Sequence, residues 1–146
     1  MGDIEVIAGG VATDDRGKLQ FINGVDFSKV KRFYIVSNHT PQFVRAWHCH
    51  LLEGKFITVV KGSAVIGAVK VDDVNNPDKN ALVTREVLSE NNPKVMYIPP
   101  GYANGAMTLT EDTRIMYFST ATLEESKTDD YRFSYDYWSI WGVERR

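Results

Sequence analysis

Two histidines, a lysine, an asparagine and a tyrosine carry most of the chemical potential of this chain. His48 and His50 lie in Arg45-Ala46-Trp47-His48-Cys49-His50-Leu51-Leu52-Glu53-Gly54-Lys55, with Gly62 beyond, in the spacing His-x-His-x(4)-Lys-x(6)-Gly. Residues two apart on a strand share a face, so both imidazoles point one way and Cys49 the other. Two imidazoles in one pocket could ligate a divalent ion or move protons. Lys55 decides between these. A carboxylate there would complete a metal site, whereas an ammonium repels the ion and cannot ligate while protonated. Proton transfer is therefore the expected role of His48 and His50, with Lys55 placed to stabilise developing negative charge.

A second segment, Pro99-Pro100-Gly101-Tyr102-Ala103-Asn104, supplies Pro-x-Gly-x(2)-Asn. Together the two segments resemble the paired strands of metal-binding cupins, which carry an acid where Lys55 stands and a histidine where Asn104 stands. With two of the four ligand positions changed, no metal is expected, and Glu53 is the nearby acid that could add a third ligand. Asn104 keeps a donor and an acceptor for a carbonyl or an enolate. Tyr117, inside the apolar run Arg114–Thr120, is a candidate acid. Arg45 is a candidate anion binder, although simple alternation sets it on the face opposite His48 unless a bulge re-aims it. Each has a plainer reading: a packed histidine, a surface lysine or arginine, a turn asparagine, a core tyrosine.

These side chains need a rigid frame, and the frame reads as all-β. Runs rich in Val, Ile, Tyr, Phe and Thr alternate with Gly, Pro, Asn and Asp clusters at short intervals, and helical periodicity is hard to find. Strands are expected over Phe33–Val36, Phe43–His50, Lys55–Val60, Ala64–Val71, Ala81–Leu88, Lys94–Ile98, Gly105–Leu109 and Arg114–Thr120. Eight is the number two packed sheets of a jelly roll require. Leu51–Gly54 and Lys61–Ser63 read as hairpin turns, Asp72–Asn80 as a solvated loop, and Pro99-Pro100-Gly101 as a corner. The aromatic segment from Asp129 to Trp141 must pack on its own barrel or on a partner subunit.

The 146 residues make one domain, 1–146, large enough for a continuous core. A net charge of −2 gives no electrostatic case for nucleic acid or an anionic membrane as partner. The single cysteine leaves no internal disulfide and fits a reducing compartment, with the cytoplasm as the default. The start, MGDIEVIAGGVATDD, lacks the basic and apolar regions of an export signal. No run is apolar enough to span a bilayer.

In order and spacing these motifs resemble the family of nucleotide-linked 4-keto-6-deoxysugar 3,5-epimerases, the dTDP-4-dehydrorhamnose 3,5-epimerase type. The resemblance runs through Asp14-x-Arg16-Gly17, Asn38-His39-Thr40, Arg45-x-x-His48, Glu53-Gly54-Lys55, Val59-Val60-x-Gly62, Ile98-Pro99-Pro100-Gly101-Tyr102-Ala103-Asn104-Gly105 and Tyr117. It implies a cupin-type double-stranded β-helix and a nucleotide-diphosphate sugar as substrate, with no metal or redox cofactor. By the resemblance His48 is the base that takes a proton next to the C4 ketone, Lys55 stabilises the enolate and Tyr117 reprotonates from the other face. Arg45, Asn104, Asn38 and Arg16 would bind substrate, and the family's dimers, which exchange N-terminal strands, suggest a homodimer. Three departures stand out. Asn104 replaces the family histidine, the aspartate that orients the base has no clear counterpart unless Asp136 or another acid serves, and His48-x-His50 with Asp130-Tyr131-Arg132 also resembles the short nucleotide-sugar 3,4-ketoisomerases. A non-catalytic sugar-binding cupin and a metal-dependent cupin oxygenase or isomerase are the remaining alternatives.

Overall fold

The computed structural model describes residues 2–146 and is almost wholly antiparallel β. In chain order the strands are β1 (Glu5–Ala8), β2 (Gly10–Asp14), β3 (Gly17–Phe21), β4 (Arg32–Val36), β5 (Val44–His50), β6 (Lys55–Lys61), β7 (Ser63–Lys70), β8 (Val83–Ser89), β9 (Lys94–Ile98), β10 (Tyr102–Thr108), β11 (Arg114–Ser119) and β12 (Tyr131–Arg132), with one helix, α1 (Leu123–Lys127). Two five-stranded sheets run β1-β9-β6-β11-β4 and β12-β5-β10-β7-β8. Strands β4 to β11 are the eight expected from the apolar runs, divided four and four as a jelly roll demands. Strands β1 and β12 each extend one sheet at its edge.

Alternation along the strands sorts the side chains into two clusters. Between the sheets, Ile57, Ile66, Leu88, Met96, Ile98 and Ile115 form a buried core that Tyr117 joins at one end. On the outer face of the second sheet, Trp47, Cys49, Val65 and Met107 are covered by Trp138 and Trp141 of the aromatic C-terminal segment. That segment therefore packs on its own barrel. Two glycines let it approach: a Cβ on Gly67 would lie 2.6 Å from Ile140 and 2.7 Å from the Trp47 ring, and one on Gly105 would lie 3.1 Å from Trp141 and 2.5 Å from Ala46.

Elements beyond the expected eight have identifiable causes. The β2–β3 hairpin is exposed along nearly its whole length, so no apolar alternation marks it. Helix α1 has five residues and buries none, yet its start carries a capping box in which Thr122 and Glu125 bond each other's backbone. No helix among the described residues is long and apolar enough to cross a membrane.

Candidate active site

The two sheets part at one end around a cavity of about 250 Å³, lined from both sides. Strand β5 brings His48 and His50, β10 Asn104, β12 Arg132 with Asp130 just before it, β4 Arg32 and Tyr34, β6 Lys55, and β11 Tyr117. Registers explain the convergence: His48 pairs with both Asn104 and Arg132, while Tyr117 pairs with Tyr34. Partner residues on adjacent strands share a face. His48 and His50 thus face the cavity, and Cys49 faces the tryptophans, as spacing required.

Arg45 reaches the same cavity because β5 is bulged. Opposite β10, Asn104 pairs with His48 but Ala106 pairs with Arg45, so Ala46 and Trp47 together face Gly105 alone. The extra residue turns Arg45 to the side of His48. Asn38 does not line the cavity and instead holds Arg45, accepting from its Nε at 2.7 Å while its own amide donates to the Phe43 carbonyl and Thr108 at 3.2 Å each. Arg16 sits at the exposed tip of the β2–β3 hairpin, paired with Asp14 at 2.5 Å, outside the cavity of its own chain. Asp136 bonds Ser134 and is also outside.

Burial sets the protonation states. His48 is pushed down to about 4, first by desolvation and then by the charges of Lys55 and Arg132, so its imidazole is neutral at neutral pH. Lys55 is only 7% exposed, and burial lowers its pKa against the pull of Glu53. Its Nζ stands 5.8 Å from the ring centre of Tyr117 and 5.9 Å from that of Tyr34. Those two rings stack at 5.0 Å and 9°. Desolvation raises Tyr34 to about 12 and Tyr117 still further, which keeps both phenols protonated. Asn104 donates to the His48 carbonyl at 3.2 Å, so one amide hydrogen is already committed to the backbone.

Beneath the histidines lies a buried acid. Glu53 accepts from Ser119 at 2.6 Å and from Arg32 at 3.5 Å, and its Oε1 lies 3.7 Å from His50 Nδ1. Asp129 caps the turn after β5, its carboxylate accepting from the amides of Leu51 at 2.7 Å and Leu52 at 2.8 Å, while its carbonyl accepts from His50 Nδ1. No group of three or more His, Cys, Asp or Glu among the described residues is arranged to hold a metal ion.

A cavity with a neutral base, a buried lysine, two phenols and a rim of arginines is built for acid–base chemistry on an anionic substrate. The family model of dTDP-4-dehydrorhamnose 3,5-epimerase matches residues 4–140. The chain belongs to that family. It is accordingly an isomerase acting on carbohydrates. The chain is similar to the dTDP-4-dehydrorhamnose 3,5-epimerase from Sulfolobus tokodaii, 28% identical over 93% of this chain and 80% of that one, with a TM-score of 0.74. The Bacillus anthracis dTDP-4-dehydrorhamnose 3,5-epimerase, solved with TDP and PPi bound, is 22% identical over 88% of this chain and 77% of its own, with a TM-score of 0.73. A mutant 3,4-ketoisomerase from Thermoanaerobacterium thermosaccharolyticum in complex with TDP-4-keto-6-deoxyglucose is 19% identical, covering 94% and 91%, at a TM-score of 0.68. No protein of curated function matches by sequence.

Within this epimerase family site, Tyr34, Arg32, Asp129, Asp130 and Arg132 were not singled out from spacing for the pocket. Tyr34 alternates with Arg32 and Val36, so the period of β4 marks all three as one face, and pairing with Tyr117 brings that face to the cavity. The Asp130 and Arg132 pair, 3.1 Å apart, sits in an aromatic segment whose docking is a tertiary event.

Proposed function

We propose that the protein epimerises a nucleotide-diphospho-4-keto-6-deoxysugar at a carbon next to the C4 ketone. One observation carries this reading: the neutral base His48 and the protonated phenol Tyr117 come from opposite sheets and line a single cavity. A base on one side of a ring and an acid on the other invert the carbon between them.

A C–H beside a ketone is a weak acid, so its removal needs a free base and a fixed positive charge near the oxygen that becomes anionic. Neutral His48 takes the proton. The Lys55 ammonium, held in a dry wall, meets the enolate oxygen where low dielectric makes the attraction strong. Tyr117 then gives its proton to the opposite face of the carbon. The cavity is smaller than the ~300–1,000 Å³ that encloses a drug-sized ligand, so it takes one sugar ring and leaves the diphosphate across Arg45 and Arg132 at the mouth. The oxygen of Asn104 remains free to accept from a sugar hydroxyl.

The test is incubation of nucleotide-linked 4-keto-6-deoxyhexoses with the protein in D2O. Deuterium at C3 or C5 with the ketone retained at C4 is the expected result. A product whose ketone lies at C3 would reject epimerisation and favour the 3,4-ketoisomerase reading, which gains its support from His50 standing beside His48 in the same cavity.

A second copy of the chain is the proposed partner. Phe33 is 61% and Ile35 51% exposed on the outer side of edge strand β4, and the β2–β3 hairpin leaves Leu19 63% exposed. Such a hairpin is marginal alone, and open apolar edges are ordinarily covered. Sedimentation equilibrium at micromolar concentration should give a dimer mass.

A further inference from the structure

Val36 is the odd side chain of the cavity. Among the described residues that line it, every other side chain brings nitrogen or oxygen, and Val36 alone brings only carbon. Its position is fixed. It pairs with the buried Ile115 and packs on the core between the sheets, and its branched Cβ restricts it to few rotamers. A rigid apolar spot in a polar wall favours whatever carbon a ligand can set against it.

The registers tell which carbon that is. Arg32, Ser119 and Lys55 pair across β4, β11 and β6 and so lie at one level of the first sheet. Val36 lies at the other end of β4, next to Ser37, whose carbonyl accepts from Arg45 at 3.4 Å. A sugar with its C4 oxygen at Lys55 and the diphosphate on C1 at Arg45 therefore lies along β4. That strand is the edge of its sheet, so it walls one flank of the ring while His48 and Tyr117 take the two faces. One flank of a 6-deoxyhexose carries the hydroxyls of C2 and C3, and the other carries the methyl on C5. A carbon-only spot suits the methyl.

We infer that Val36 is a specificity-determining residue that receives the C6 methyl of a 6-deoxy sugar and disfavours the same sugar with a hydroxyl at C6. The placement of the ring rests on the epimerase reading. A C6 hydroxyl would shed water against methyl groups that offer it no partner, and an unpaired polar group loses affinity. Apolar sites reject an added hydroxyl only moderately, by about 100-fold at most.

TDP-6-deoxyglucose and TDP-glucose differ only by the oxygen on C6, and neither has the ketone the reaction needs, so calorimetry on them reads binding alone. The unaltered protein should hold the 6-deoxy ester about 10- to 100-fold tighter. Val36→Thr keeps the shape and adds a hydroxyl able to pair with the one on C6, so the ratio should collapse to within about threefold. Val36→Ala should narrow the ratio by weakening the 6-deoxy ester alone. Damage to folding or to diphosphate binding would move both constants together and leave their ratio unchanged. Equal affinities in the unaltered protein, an undiminished ratio in Val36→Thr, or no binding of either ester would overturn the inference. Should Val36→Thr fail to fold, an unchanged ratio in Val36→Ala would overturn it instead. A clear preference for the 6-deoxy ester without deuterium exchange on any 4-keto sugar would reject the epimerase reading and leave the methyl site standing. Exchange together with equal affinities would reject the methyl site only.

Discussion

Strand β5 has two faces that do opposite work. Toward the cavity it presents His48 and His50, whose polarity is useful only because solvent, substrate and neighbouring charges can reach it. Toward the C-terminal segment it presents Trp47 and Cys49, sealed under Trp138 and Trp141 with no exposure of their own. Period-two alternation makes the contrast possible within four residues. The lesson is that the sealed face is what makes the open one precise. An imidazole can be held neutral and aimed only on a strand that cannot move, and the aromatic cluster is what clamps this strand from behind.

The comparison breaks most sharply at His48. His48→Gln removes the base and should lower deuterium incorporation into the 4-keto sugar by roughly 10²–10⁴-fold. The thermal midpoint should hardly change, because the lost group faces a solvated cavity. Retained exchange would mean that the face has been misread. The same residue predicts two pH dependences. With its pKa lowered to about 4, His48 stays neutral as pH falls through 6.5, so kcat/KM should decline only near pH 4. Stability behaves differently. The unfolded chain protonates this histidine near 6.5 and the folded one near 4, so the stability fully present above 6.5 is lost as pH falls between those values. Urea midpoints across that range should show the slope, and His48→Gln should flatten it.

On the sealed face the expected effect is stability rather than rate. Trp138 is 3% exposed, meets Trp47 edge-on at 5.4 Å and donates its indole hydrogen to the Asp78 carbonyl at 2.9 Å. Trp138→Ala should cost about 3–5 kcal/mol, a large part of the ~5–15 kcal/mol that holds a domain folded. Urea denaturation measures the loss, and exchange per folded molecule should be little altered. A variant of normal stability but slow exchange would show that the tryptophans tune the site directly.

The two faces also differ in how readable they were. His48, His50 and Lys55 were legible because spacing and residue type survive in one dimension, whereas Tyr117 stood out only through the family resemblance, and counting along β5 left Arg45 either re-aimed by a bulge or serving a neighbouring site. Glu53 was visible as a nearby acid, but its burial against Ser119 and Arg32 depends on β4 and β11 closing over it. Asp129 was legible only as part of an aromatic tail and Asp130 only through the ketoisomerase resemblance, since the approach of this segment to His50 crosses more than seventy residues of sequence. In the frame, the eight core strands had apolar alternation to show. The β2–β3 hairpin, exposed on both sides, had none, and β12 is two residues long. Arg16, at the hairpin tip, shows the limit of motif matching, since a motif carries no information on which cavity its side chain reaches.

The mildest test lies one step behind the open face, at Asn38. Its oxygen takes the Arg45 Nε at 2.7 Å, and its amide is anchored to Phe43 and Thr108, so it holds the guanidinium without touching the cavity. If Arg45 binds the diphosphate, that orientation is needed equally in the bound substrate and the transition state. Interactions shared by both states affect KM and leave kcat alone. Asn38→Ala frees a long side chain that can still find the phosphates, so the loss should sit at the low end of the ~1.5–3 kcal/mol typical of a charged hydrogen bond, about a tenfold rise in KM. Arg45→Gln should raise KM further, and in that background Asn38→Ala should do nothing more. A fall in kcat from Asn38→Ala would instead tie Arg45, through the bulge it shares with His48, to the placement of the base itself.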